Sequence, residues 1–197
     1  MYRLTEDITK ARMRDAGLPV PEGGVAQSPE EASSLAQKLG NQVVIKALIP
    51  TGRRGKLGAV KLVSTPYEAA QSARDMLGQM INGYAVEAVY VEQQILIAKE
   101  LYLSFAIEQF PPQVLVSSKG GVDIEETFRN TPEAVTKADI DPVAGLSEAE
   151  AQKIWQQAGL GTDDVFALGD ITSKLFKFYQ ENDGITLEIN PLVIDTE

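Results

Sequence analysis

Lysine is seldom left inside an apolar strand, yet this sequence places one there. Lys46 sits in VVIKA (43–47), and the chain then runs IPTGRRGKLGAVKLV from Ile49 to Val63. Gly52, Arg53, Arg54, Gly55, Lys56 and Gly58 therefore follow a buried-looking strand, in a protein of net charge −10. A lysine in such a strand must pair or line a cleft. Glycines let the backbone approach a ligand closely, and cations beside backbone N–H groups suit phosphate oxygens. The spacing is neither G-x-x-x-x-G-K-[ST] nor G-x-G-x-x-G. A flexible hairpin with solvated charges is the other reading of the loop, and Lys46 tilts the balance towards an anion.

Three further groups could do chemistry. Glu92 closes the run YAVEAVYVEQ and Glu100 lies in KELYLSFAIEQ. These two glutamates either face solvent or stand where a strand end meets a nucleotide, with Glu100 accepting hydrogen bonds from ribose hydroxyls. In LEINPL, Glu188 and Asn190 are two residues apart and share one face of a strand. A carboxylate and an amide oxygen are hard ligands suited to Mg²⁺. Leu187, Ile189 and Leu192 make that segment otherwise core-like, and Pro191 restricts Asn190 to an extended conformation. In SSKGGVDIEE, Gly120-Gly121 permits a tight turn or a close approach, while Asp123, Glu125 and Glu126 read as a solvated acidic face.

The elements that must position these groups are legible from period and punctuation. Leu4 to Ala16 reads as a short helix ended by Gly17. SPEE (28–31) and TPYE (65–68) are capping boxes, with Ser28 and Thr65 at the caps and Glu31 and Glu68 reaching back. NQVVIKALI and AVKLV form a hairpin around the basic loop, and QVLVSSKGG is the hairpin partner of KELYLSFAIEQ. Residues 147–158 and DDVFALGDITSKLFKFYQEN are helices, and GITLEINPLVID is a last strand. Hairpins with covering helices predict an α+β fold rather than a regular β-α-β alternation.

Composition narrows the function. The chain has 197 residues, 44% hydrophobic and 23% charged, which are ordinary globular values. No run of ~18 apolar residues predicts a membrane span, and the N-terminus lacks the apolar core of a signal peptide. The acidic balance argues against non-specific binding to nucleic acid or anionic membrane. There are no cysteines and no histidines, so thiol and histidine chemistry are both excluded from these residues. Cysteine-free and without a signal peptide, the chain is expected to be cytoplasmic.

In their order and spacing, VVIKA, GRRGKLGAVKLV, VYVEQ, AKELYLS, KGGVDIEE and LEINPLVI resemble the nucleotide-binding β subunit of the succinyl-CoA synthetase family. This is the ATP-grasp part of the NDP-forming acyl-CoA synthetases, and the likeness covers nearly the whole chain. RRGKLG looks more like the ATP-citrate lyase and citryl-CoA synthetase branch, since the succinate and malate ligases more often carry a small residue at Arg53. The resemblance implies an ATP-grasp fold, two α+β subdomains gripping ATP. Residues 21–103 would form one lobe, and 1–20 with 104–197 the other.

The family's residues carry over as follows. Lys46 matches the phosphate-binding lysine, and Gly52, Arg53, Arg54, Gly55 and Lys56 match the loop over the phosphates. Glu92 and its strand match the adenine hinge, Glu100 the ribose-binding carboxylate, and Asn190 a Mg²⁺ ligand. Glu188 matches the glutamate facing a phosphohistidine, which an α subunit or α-like domain supplies. The implied activity is ADP-forming ligation of CoA to a carboxylic acid of citrate or succinate type, with ATP or GTP as the nucleotide. Lys119 stands where the family commonly has an acidic residue, and no role is assigned to it. The family also continues past EINPLV with an aspartate ligand and a CoA-ligase domain, so the chain is expected to be a fragment, inactive alone. A non-catalytic nucleotide-sensing or assembly module is the rival reading. A ligase making an acyl phosphate directly is a third, weaker one.

Overall fold

The computed structural model describes residues 3–52, 54–107, 110–121 and 124–196. Arg53 and Asp123 lie outside the described residues, as does the side chain of Glu125. The chain divides into two compact units, Met1–Ile95 and Leu96–Glu197.

The first unit contains helices α1 (Glu6–Asp15), α2 (Pro29–Lys38) and α3 (Pro66–Met76). Its strands are β1 (Gly23–Ala26), β2 (Val43–Ala47), β3 (Val60–Val63), the two-residue pair β4 (Met80–Ile81) and β5 (Tyr84–Ala85), and β6 (Val89–Gln93). The main sheet is antiparallel in the order β1-β6-β2-β3. Alternation puts Val43, Ile45, Ala47, Val89 and Val91 into one core with Ala32 and Ala36 of α2 and Ala69, Ala73 and Met76 of α3. Small residues on both helices let them lie close to the sheet, and each buried Val or Ile stabilises the unit by about 1.5–3 kcal/mol. The opposite face carries Val44, Lys46, Tyr90 and Glu92.

Both expected caps form. Ser28 and Thr65 accept from the Glu31 and Glu68 N–H groups at 3.2 Å. The glutamates reach one residue further back than expected, to Gln27 N and Ser64 N. A full capping box occurs instead at Ser147 and Glu150, where the helix Glu148–Gln157 begins.

The second unit contains β7 (Ile97–Ala106), β8 (Gln113–Ser117), α4 (Ile124–Asn130), β9 (Val135–Asp139), α5 (Glu148–Gln157), α6 (Thr162–Glu181) and β10 (Thr186–Asp195). Its sheet is antiparallel in the order β10-β7-β8-β9. Leu101, Leu103, Phe105, Val114 and Val116 are fully buried on one face. Phe105 meets Phe176 and Tyr179 of α6 at ring separations of 5.3 and 5.7 Å. Trp155 of α5 is fully buried and satisfies its indole N–H on Thr172 Oγ1 at 2.8 Å. The other face is left to Glu100, Ser104 and Glu188.

The units do not divide where the sequence placed the lobes. Residues 1–20 fall in the first unit, because α1 is tied by its charged side chains to β2 and β6. The segment 96–103 falls in the second, because β7 pairs with β10 from Ile97 onward. The strands β1 and β9 and the helix α4 have no counterpart in the sequence reading. GGVA is too short, and VTKAD too polar, to announce a strand.

Candidate functional site

Within the first unit, the antiparallel register sets Lys46 opposite Tyr90 and Glu92 opposite Val44. Cross-strand partners share a face, so Lys46 and Glu92 are diagonal neighbours on it. Lys46 Nζ donates to Glu92 Oε2, and to Glu6 Oε1 of α1 at 2.8 Å. Helical spacing brings Lys10 onto the same face as Glu6. Lys10 Nζ contacts Glu6 Oε1 at 2.9 Å, donates to Glu92 Oε1, and lies 5.8 Å from the Tyr90 ring centre. Arg54 folds back from the glycine loop, donating to the Ala47 carbonyl at 3.1 Å and to Glu6 Oε2.

Three cations thus face two carboxylates, with less than a fifth of any of these side chains exposed. Burial alone would push the Glu6 carboxyl up, but Lys46, then Lys10 and Arg54, overcome it and hold it far below the usual carboxylate range. Burial would likewise lower the Lys10 ammonium, and Glu6 and Glu92 outweigh it and raise it.

The depressed Glu6 carboxyl predicts a pH effect of definite sign. Unfolded, Glu6 titrates near 4.5. Its contribution is complete above that pH and is lost as pH falls towards the lower folded value, because only the unfolded chain takes up the proton. Urea unfolding at about pH 5 and about pH 3 should show the unmodified chain losing about 2 kcal/mol more than Glu6→Gln over that interval, the slope approaching about 1.4 kcal/mol per pH unit at its acid end. Parallel slopes for the two chains would remove the ion cluster from the stability argument.

The glycine loop separates into two kinds of residue. Gly58 adopts φ +68°, which its own backbone reserves for glycine. At Gly52 and Gly55 an added methyl would meet nothing within 4 Å, so no neighbour in this chain calls for glycine there. Lys56 lies in the exposed part of the loop.

In the second unit the turn Lys119-Gly120-Gly121 ties two of the sequence-predicted residues together. Gly120 N donates to the Glu100 carbonyl at 2.7 Å, and Gly121 N donates to Asn190 Oδ1 at 2.7 Å. Gly121 is left-handed, and the Glu100 carboxylate occupies the space a Cβ would need there. Asn190 precedes a cis peptide to Pro191, and the β10 register slips between Ile189 and Leu192, a bulge that two-residue alternation does not foresee. Glu188, exposed, stands opposite Ser104. Lys119 is engaged with Thr131, its Nζ lying 3.0 Å from Oγ1.

Among the described residues no three acidic, histidine or cysteine side chains cluster as a self-sufficient metal site. Asn190 offers an amide oxygen, a hard donor of the kind Mg²⁺ takes beside water and phosphate oxygens, and here that oxygen accepts from Gly121 N. Glu92, whose strand is matched above to the adenine hinge, has its carboxylate buried on two lysines, Lys10 and Lys46. Glu6 and Lys10 escaped the sequence reading, because an i,i+4 Glu–Lys pair on an amphipathic helix looks like ordinary surface.

The chain matches the family described as ATP-grasp domain over residues 3–194, and it belongs to that family. It is 42% identical over 196 residues to the GDP-forming succinate–CoA ligase subunit beta of Thermus thermophilus, covering 98% of this chain and 52% of that protein. The chain spans about half the length of the relatives it matches. The dinucleotide-forming acetyl-coenzyme A synthetase 1 of Ca. Korarchaeum cryptofilum, with coenzyme A, Ca-AMPCP and HgCl⁺, shares the fold at TM-score 0.79 and 23% identity, over 98% of this chain and 88% of that one. The same protein with coenzyme A, acetyl-coenzyme A and a phosphorylated phosphohistidine segment gives 0.73 at 25% identity, over 97% and 86%. ATP citrate lyase from Methanothrix soehngenii gives 0.75 at 20% identity, over 98% and 47%.

Proposed function

We propose that this chain is the nucleotide-binding part of a carboxylate–CoA ligase that forms a nucleoside diphosphate. The observation that carries this is the convergence of Lys46 and Arg54 beside a loop whose glycines 52 and 55 answer to no neighbour in the chain. Such glycines leave room for a ligand to lie against the backbone, and the cations give that ligand its charge.

In this reading Lys46, Arg54 and Lys56 hold the phosphates of ATP or GTP, with Arg53 in the same loop, and Gly52 and Gly55 let backbone N–H groups reach them. Glu92 keeps Lys46 in place from its buried position on β6. Glu100 accepts the ribose hydroxyls. Asn190 holds Mg²⁺, which neutralises phosphate charge when bound. Glu188 faces the histidine that accepts the phosphoryl group. The bond between the γ-phosphorus and the β–γ bridging oxygen breaks as one to a histidine nitrogen forms, and the diphosphate leaves with the electron pair. This chain's part is positioning and charge neutralisation. It contains no histidine, so the acceptor belongs to an α subunit or α-like domain. CoA and the carboxylic acid, of citrate or succinate type, are bound by the rest of the assembly.

The test is calorimetric titration of the purified chain with Mg·ATP, Mg·GTP and CoA. Saturable nucleotide binding at ~1 mM or tighter, about −4 kcal/mol, without CoA binding is the expected result. Binding of CoA without nucleotide would overturn the assignment.

A further inference from the structure

Two of the cations assigned above to phosphate, Lys46 and Arg54, are already bonded to one internal anion, Glu6. Glu6 Oε1 accepts from Lys46 at 2.8 Å and contacts Lys10 at 2.9 Å, while Oε2 accepts from Arg54. A carboxylate taking a lysine on one oxygen and a guanidinium on the other uses the donors that two phosphate oxygens would use. We propose that Glu6 is a displaceable anion of the nucleotide site, holding the place of phosphate on Lys46 and Arg54, so that nucleotide binds by exchange and Glu6 sets the affinity. This rests on the nucleotide reading of the site.

Glu6 is the carboxylate able to give way. Glu92 is rooted in β6, paired with β1 on one side and β2 on the other, and 4% exposed. Glu6 stands in the first turn of α1, on a side chain that can swing while the sheet stays fixed. Lys10, one turn along, is in contact with Glu6 and bonded to Glu92, so the displaced carboxylate keeps a partner and Glu92 is not left alone. With Glu6 in place Lys46 and Arg54 both donate to it; with Glu6 withdrawn to Lys10, Lys46 retains Glu92 and Arg54 retains the Ala47 carbonyl, so a positive charge is freed on each. The freed charge is what a triphosphate, a multiply charged anion even with Mg²⁺, requires.

A residue that only braces the cations and a residue that competes for them give opposite results when neutralised. Mg·ATP and inorganic tripolyphosphate are titrated into the unmodified chain, Glu6→Gln and Glu6→Asp, with thermal melts of each. Glu6→Gln keeps the shape and loses the charge, and it is expected to bind both probes about tenfold tighter, about 1.4 kcal/mol, though its fold is less stable. Glu6→Asp keeps the charge but is one methylene short of bridging Lys46 and Arg54, and it should show a smaller gain. It also keeps the test decisive should the glutamine chain fail to fold. Unchanged or weaker binding by the variants, with the unmodified chain still binding Mg·ATP, overturns this inference and leaves the nucleotide reading standing. If no chain binds Mg·ATP, the nucleotide reading falls and takes the inference with it.

Discussion

Lys46→Ala is expected to weaken Mg·ATP binding by about 100-fold, about 2.7 kcal/mol, the scale of one charge-assisted hydrogen bond to phosphate with its Coulombic attraction. The same change should lower the stability of the first unit by about 2–3 kcal/mol. It strips Glu92, 4% exposed, of one of its two lysines and removes one of the three cations on Glu6. Breaking a largely buried ion network by deleting one member leaves charge uncompensated, which costs far more than a surface pair is worth. Lys46→Arg should recover part of the stability but less of the binding, since a planar fork does not fit the space of an ammonium. Lys61→Ala is the control. On the neighbouring strand β3 it pairs with Asp75 at 3.1 Å in the open, and its loss should change stability by no more than about 0.5 kcal/mol. Calorimetry with Mg·ATP and urea denaturation read both quantities. Nucleotide binding by Lys46→Ala equal to the unmodified chain would dismiss Lys46 as a phosphate ligand.

Gly120→Ala should be the most damaging small substitution in the second unit. The new methyl would fall within 2.6 Å of the Leu101 backbone nitrogen, and nearer still to that residue's carbonyl group. Neither side can yield cheaply. Leu101 is fully buried and its strand is paired with Leu192 of β10, while Gly120 is held to the Glu100 carbonyl. The turn must move, losing that hydrogen bond and the one from Gly121 to Asn190. A cost on the order of 3 kcal/mol follows, seen as an apparent Tm lower by about 10 °C. Gly52→Ala makes the contrast, for its methyl would meet nothing within 4 Å and stability should stay within about 0.5 kcal/mol. Equal melting temperatures for the two variants would mean that the Gly120 turn is not the constrained element described.

The contrast between these glycines marks what a sequence can and cannot disclose. Lys46 was legible because an ammonium in an apolar strand breaks a pattern, and the hairpin around it was legible from two apolar runs flanking glycines. The pairing of Asn190 with the Gly120-Gly121 turn was not, since 69 residues separate Asn190 from Gly121 and no local pattern links them. Glu6 and Lys10 were invisible for a different reason. Their i,i+4 spacing is satisfied equally well by solvent or by a buried cluster, and only the tertiary position of α1 decides. The grouping of α1 with the first unit was hidden with them, because the residues that bind α1 to the first sheet are those same charges. The α+β class, the caps and most strands needed only short-range rules and emerged correctly.

The slip in register at Asn190-Pro191 has a further effect. Among the described residues β10 pairs only with β7, so it borders its sheet and offers a row of main-chain groups to any extended chain that arrives. A bulge breaks the regular repeat along that border, and proline contributes no N–H to it. The kink that turns an amide oxygen towards the glycine turn therefore also makes the border a poor template for self-association, so one irregularity both ties β10 to Gly121 and guards an open edge.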